Sequence, residues 1–190
     1  KNKMRTSGFT LIELLIVIAI LGTLAVVVLL ALNPVQQLAR TRDAGRLSGV
    51  TQLGHAVQSW STSNNGAVIN PAAPCANTAN WLACLVASGE IASTPALISN
   101  TVTAVCGTNQ LFGWCYAINT TNFIVFSRLE GTANISRCPT PATNFAFAVY
   151  SSADSRGGII CRAGTQPVAP AAGSTLGVCA GATCLDSFLP

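Results

Sequence analysis

SGFTLIELLIVIAILGTLAVVVLLAL, residues Ser7–Leu32, decides how this chain is built. From Phe9 to Leu32 there are 24 residues and one charged side chain, Glu13. As a helix the run would span about 36 Å, enough to cross a hydrocarbon core of about 30 Å. A soluble core helix of ordinary length would be shorter and would carry a polar face. The stretch therefore reads as a transmembrane helix.

A basic front precedes it: Lys1, Lys3 and Arg5. A secretory signal shares that front, but its apolar core is typically about 7–15 residues and ends at a small-residue cleavage site. Here the small residues Ser7 and Gly8 come before the apolar run, and no Ala-x-Ala pattern ends it. Glu13 is the anomaly. A carboxylate costs about 2.5–3.5 kcal/mol at the centre of a bilayer and less near an end. Lying one turn inside the run, it gains modestly from the helix dipole. It either snorkels to the interface or meets a cation on another helix. A free amine at the start of Phe9 would be such a cation.

The residues Gly-Phe-Thr-Leu-Ile-Glu, with the break between Gly8 and Phe9, resemble the class III signal of type IV pilins and the related pseudopilins. The match is most specific from Gly8 through Leu15 and extends to Leu32. The resemblance implies cleavage after Gly8 by a membrane prepilin peptidase, methylation of the new N-terminus at Phe9, and use of Glu13 in filament assembly. It implies a division into a leader at 1–8, a transmembrane and filament-core helix at 9–33, an amphipathic second half at 34–62 and a globular head at 63–190. It also implies the α+β "ladle" fold of pilins: a long N-terminal helix packed on a small antiparallel sheet, with disulfide-pinned loops.

The formal charge of +4 rests on the front. Removing its three basic residues leaves seven against six acidic ones, a net of +1. Such a body has no basic stripe of the kind nucleic-acid binding requires. Lys1, Lys3 and Arg5 stay cytoplasmic by the positive-inside rule, which puts the body outside. Arg40, Arg42 and Arg46 follow the helix; with Asp43 between them at helical spacing, they read as ordinary helix-surface pairs.

Eight cysteines, Cys75, Cys84, Cys106, Cys115, Cys138, Cys161, Cys179 and Cys184, all lie beyond the membrane helix. An even number outside the membrane points to disulfides in an oxidising compartment. Zinc would want close cysteine pairs or histidines. The chain has one histidine and no Cys-x-x-Cys, so no metal site is expected. The equal spacings of Cys75 with Cys84 and of Cys106 with Cys115 suit local loops. Sequential pairing is the expectation, although eight cysteines allow about 105 connectivities.

Asn33-Pro34 should interrupt the helix, since proline removes a hydrogen bond and pushes its predecessor from helical angles. Gly22 is a second soft point. The resemblance implies that the helix can partly melt inside a filament, and Gly22 to Pro34 is where that would fall. From Val35 to Ser61, Leu47, Val50, Leu53, Val57 and Trp60 recur at steps of three and four, an amphipathic helix. Gly45, Gly49 and Gly54 weaken it locally. His55 has no partner for metal or nucleophile chemistry and reads as a packing or solvent residue. The turn residues Ser61–Gly66 end the helix. A short helix is expected over 80–87, within a connecting region at 67–112. Strands are expected over 113–118, 122–129, 145–149 and 158–162, an antiparallel meander with one face buried. Glu130 reads as a strand-end surface residue. Residues 163–190, rich in Pro, Ala and Gly, read as a C-terminal loop pinned by Cys179 and Cys184.

No phosphate-binding glycine loop, GxSxG or calcium-loop spacing occurs, and one histidine removes most His-based catalysis. No enzyme activity and no cofactor are expected. Asn119-Thr-Thr121 and Asn134-Ile-Ser136 fit the glycosylation triplet, which chance also produces. Aromatics at 6% are too sparse to suggest stacking chains by themselves.

The reading is of a structural subunit, a homo-oligomer in a helical filament. Its partners would be the prepilin peptidase, an inner-membrane assembly machinery, and the membrane itself before assembly; the filament would be extracellular. The same signal serves pseudopilins of type II secretion and minor pilins of competence systems. The resemblance implies a C-terminal calcium site of clustered acids in some pseudopilins; the lack of such a cluster here and the disulfide-rich body tilt the reading to a pilus. A single-span anchor carrying an extracellular binding or enzymatic domain would leave Glu13 unexplained.

Overall fold

The computed structural model describes residues 8–71, 75, 78–96, 110–163, 167–177 and 185–190. The chain divides into two compact units, Lys1–Leu38 and Ala39–Pro190.

In the first unit, helix α1 runs over Leu11–Leu32. Thr10 caps it, and none of its residues is buried. It is long and apolar enough to cross a membrane. It passes through Gly22 without a break. The break comes at Asn33, whose φ of 41° lies in the left-handed region, where asparagine is better tolerated than most residues. Pro34 has no N–H to continue the ladder and its ring excludes the regular turn before it. It opens helix α2, Pro34–Ser63, a position where its fixed φ suits a first helical residue. The Asn33 carbonyl takes the N–H groups of Gln36 at 3.0 Å and Gln37 at 3.4 Å.

In the second unit, α2 buries Ala39, Asp43, Arg46, Val50, Leu53 and Val57, one face at steps of three and four. Leu47 and Trp60 pack against the same core while staying partly exposed. Two glycines let the helix approach closely. A Cβ on Gly54 would overlap the Tyr150 ring, and one on Gly49 would overlap Trp114. Helix α3, Trp81–Ala87, is capped by the Asn80 carboxamide, whose Oδ1 accepts the Ala83 N–H at 2.8 Å. It buries Trp81, Leu82 and Leu85.

The sheet is an antiparallel meander in the order β1 to β5: Gln110–Leu111, Trp114–Asn119, Asn122–Arg128, Asn144–Ser151 and Arg156–Ala163. Four strands are substantial; the two-residue β1 is an addition to the expected set. A four-residue helix, α4 at Thr132–Ile135, sits between β3 and β4. One face of the sheet carries Trp114, Tyr116, Phe123, Val125, Ala148 and Tyr150 into the core with α2 and α3.

The other face is not open, as a meander with one buried side would leave it. Cys115, Ile124, Phe126, Phe147, Val149 and Ile160 form a second cluster, covered by Ala169, Leu176 and Phe188. The cover is held by polar contacts. Asn122 Nδ2 donates to the carbonyls of Pro170 and Ala171. The Asp154 carboxylate accepts the N–H groups of Leu176 at 2.9 Å and Gly177 at 3.0 Å. Leu189 N–H donates to Ile159 O at 2.8 Å, which lays the chain's last residues along β5. Cys179 and Cys184, expected to pin this loop, lie outside the described residues.

Disulfides join Cys75 to Cys84 and Cys138 to Cys161, two of the four sequential pairs expected. Cys115 is also disulfide-bonded; Cys106 lies outside the described residues.

Candidate functional site

The N-terminus of α1 is built by four residues. Thr10 and Glu13 form a reciprocal cap. The Thr10 N–H and hydroxyl donate to Glu13 Oε2 at 2.8 and 2.7 Å, and Thr10 Oγ1 accepts the Glu13 N–H at 3.3 Å. Such a box satisfies two of the donors a helix start leaves open. Both donations to the carboxylate go to Oε2; among the described residues nothing donates to Oε1. Gly8 and Phe9 precede the cap as exposed chain outside the helix, with Phe9 81% exposed. From Leu11 to Leu32 the helix presents apolar side chains on every side. Chemically this is an adhesive rod with one carboxylate near its tip.

The second constellation, at the base of the packed part of α2, was not legible as such. Arg42, Asp43 and Arg46 are not ordinary surface pairs. Asp43 and Arg46 are buried, at 2% and 1% exposure. Arg46 Nη1 lies 2.8 Å from Asp43 Oδ1 and 3.2 Å from Glu130 Oε1, and Arg42 Nε donates to the same Glu130 oxygen. Asp43 also takes backbone groups: Oδ1 accepts the Glu130 N–H at 3.0 Å, and Oδ2 accepts the Gly131 N–H at 2.8 Å. Asn134 Nδ2 donates to Oδ2 at 2.9 Å, a contact that occupies the side chain of one candidate glycosylation site. Glu130 is therefore corrected from a surface residue to a buried partner. Two guanidiniums face two carboxylates, so the cluster is neutral, as burial demands. The signal that could have found it is the 3–4 spacing of Ala39, Asp43, Arg46, Val50, Leu53 and Val57, which puts both charges on the core face.

His55 is exposed and lies edge-on to Tyr150, ring centroids 5.0 Å apart. Burial pushes the Tyr150 and Tyr116 phenols up from their ordinary value, Tyr116 strongly. The Ile69 backbone opposes the Tyr116 shift only in part and does not reach the hydroxyl in hydrogen-bond geometry. Arg128 lies 3.6 Å from the centre of the Phe145 ring, and its burial there pulls its pKa down. No group of three or more potential metal ligands occurs among the described residues.

Residues 3–29 match the family model described as the prokaryotic N-terminal methylation motif. The chain thus carries the class III prepilin signal of the type IV pilin and pseudopilin family. No curated protein and no solved structure matches the chain. The motif is that of a structural protein. Together with the apolar α1 it indicates membrane anchoring, and it accords with processing by a peptidase and with filament assembly.

Proposed function

We propose that this protein is a type IV pilin: cleaved after Gly8, N-methylated at Phe9 and polymerised into an extracellular filament through its N-terminal helix. The leader would be 1–8, the filament-core helix 9–33, its continuation 34–62 and the head 63–190. The observation that carries the reading is the state of Glu13. It is the one carboxylate on a fully exposed apolar helix, held by Thr10 through one oxygen.

The cation that the other oxygen would meet is the Phe9 amine of a neighbouring subunit. Both lysines of the chain, Lys1 and Lys3, belong to the leader. After cleavage the Phe9 amine is the chain's one amine, and the other cations are arginines at or beyond position 40. Lipid competes well for apolar helix contacts. A directional pair is what would fix the register of the rods. The Asn33-Pro34 break would let the core helix bend or melt as it leaves the membrane.

The test is Glu13→Ala. It should leave membrane insertion intact and abolish incorporation into sheared filaments. Normal incorporation of the variant would sink the reading.

A further inference from the structure

Beyond the leader the chain has seven arginines, six carboxylates and no lysine. Charged residues are 8% of the whole chain, about a third of the usual share. Most of them are engaged internally. Asp43 and Glu130 hold Arg42 and Arg46, and Asp186 holds Arg162. Asp154 caps backbone N–H groups, and Arg137 donates to the Pro190 carbonyl. Arg128 and Arg156 lie over Phe145 and Phe188. Among the described residues, two charges of the second unit have no hydrogen bond, ion pair or ring partner: the exposed Arg40 and the half-exposed Glu90.

Arg40 lines a recess of mixed lining, and Glu90 follows in sequence the helix α3 that lines another. Arg40 shares its recess, of about 260 Å³, with the apolar Ala44, Leu47, Leu129 and Ile159 and with Asp43 and Asn134 of the clamp. Glu90 is not itself in the lining but falls in the chain between Ala87 and Ala92, which line a recess of about 540 Å³ with Ala83, Val86, Thr78 and Thr94. A helical filament repeats one heterologous contact, so each subunit must carry two different, complementary patches. A charge beside a largely apolar recess, as at Arg40, is the composition of an interface that fixes register, and it calls for an unpaired charge of opposite sign on the neighbour. On a surface this poor in charge, two unpaired ions of opposite sign on different elements meet that requirement.

We propose that the occupant of these patches is a second copy of this chain, with Arg40 of one head paired to Glu90 of the next. The contact rests on the filament reading and adds the head-to-head register to it. It would set neighbour against neighbour while the N-terminal rods supply cohesion.

The test uses full-length protein in filament-forming cells. Arg40→Glu and Glu90→Arg should each cut sheared filament yield about tenfold, since like charges then face each other. The double exchange should restore yield to near that of the parent. Because Arg40→Glu stands close to Asp43 and could unfold the clamp, a second measurement is needed. Subunits carrying Arg40→Cys and subunits carrying Glu90→Cys, co-expressed, should give dimers in filaments treated with a bis-maleimide whose spacer matches the reach of an arginine–glutamate pair, and neither variant alone should. Parent filaments with indifferent single variants, or with no mixed cross-link, would overturn this contact alone. Absence of filaments from the parent protein would overturn the filament reading and this contact together.

Discussion

The Asp43 carboxylate accepts the Gly131 N–H at 2.8 Å. A side chain of α2 thereby holds the start of the connection between β3 and β4, and Arg42 and Arg46 hold the neighbouring Glu130. Removing one partner of a buried charge cluster costs about 3–5 kcal/mol, because the rest stays buried and unpaired. Asp43→Ala should therefore destabilise the protein in detergent by about that amount, read by urea unfolding. Asp43→Asn, which keeps the shape and loses the charge, should cost less, about 1–3 kcal/mol. An Asp43→Ala variant within about 0.5 kcal/mol of the parent would mark a surface residue and refute the clamp.

Three glycines of α2 separate close approach from helix propensity. Gly49 and Gly54 face Trp114 and Tyr150 without room for a Cβ, whereas a Cβ on Gly45 meets nothing within 4 Å. Gly54→Ala and Gly49→Ala should destabilise by about 1–3 kcal/mol through overpacking. Gly45→Ala should stabilise by about 0.5–1 kcal/mol, the ordinary helix gain. Thermal unfolding of the three variants should give opposite signs.

The two disulfides with both partners among the described residues close loops of different length, with sequence separations of 23 for Cys138–Cys161 and 9 for Cys75–Cys84. In the chain-entropy account the longer loop contributes about 0.8 kcal/mol more. Replacing Cys138 and Cys161 together by alanine should therefore lower the Tm further than replacing Cys75 and Cys84. Cys138 and Cys161 also secure the same β3–β4 connection that Asp43 holds, so combining their loss with Asp43→Ala should depart from additivity.

Both tyrosines of the chain, Tyr116 and Tyr150, have phenols raised by burial. A raised folded-state pKa favours the neutral form in the fold. That stability is fully present below the unfolded value of about 10 and is lost as pH rises beyond it. Ultraviolet titration of the folded protein should show both phenolates appearing above the ordinary value of about 10, Tyr116 later than Tyr150. The Tyr116 phenolate should appear together with unfolding. A normal titration with the fold retained would contradict the burial of both rings.

The elements that follow from strong local patterns were legible. The apolar run, the Asn33-Pro34 break, the short helix within 80–87 and the four longer strands all carry their reasons within a few residues. The charged base of α2 was not, because a charge is read as exposed by default. Spacing says which face a residue is on, and only the partner from 87 residues away, Glu130, makes that face habitable for Asp43 and Arg46. The cover over the second sheet face was hidden for a similar reason. Phe188 is completely buried, yet it lies in a Pro- and Ala-rich tail without periodicity. Gly49 and Gly54 looked like weak points of a helix and are its contact surface.

The central claim is that Glu13 waits at the tip of α1 for the amine that processing creates at Phe9. The direct measurement is the intact mass of the protein in sheared surface filaments. The account predicts a chain beginning at Phe9 and heavier by one methyl group, with no residue of 1–8 retained. Filament protein that keeps residues 1–8 would have no Phe9 amine and would contradict the account.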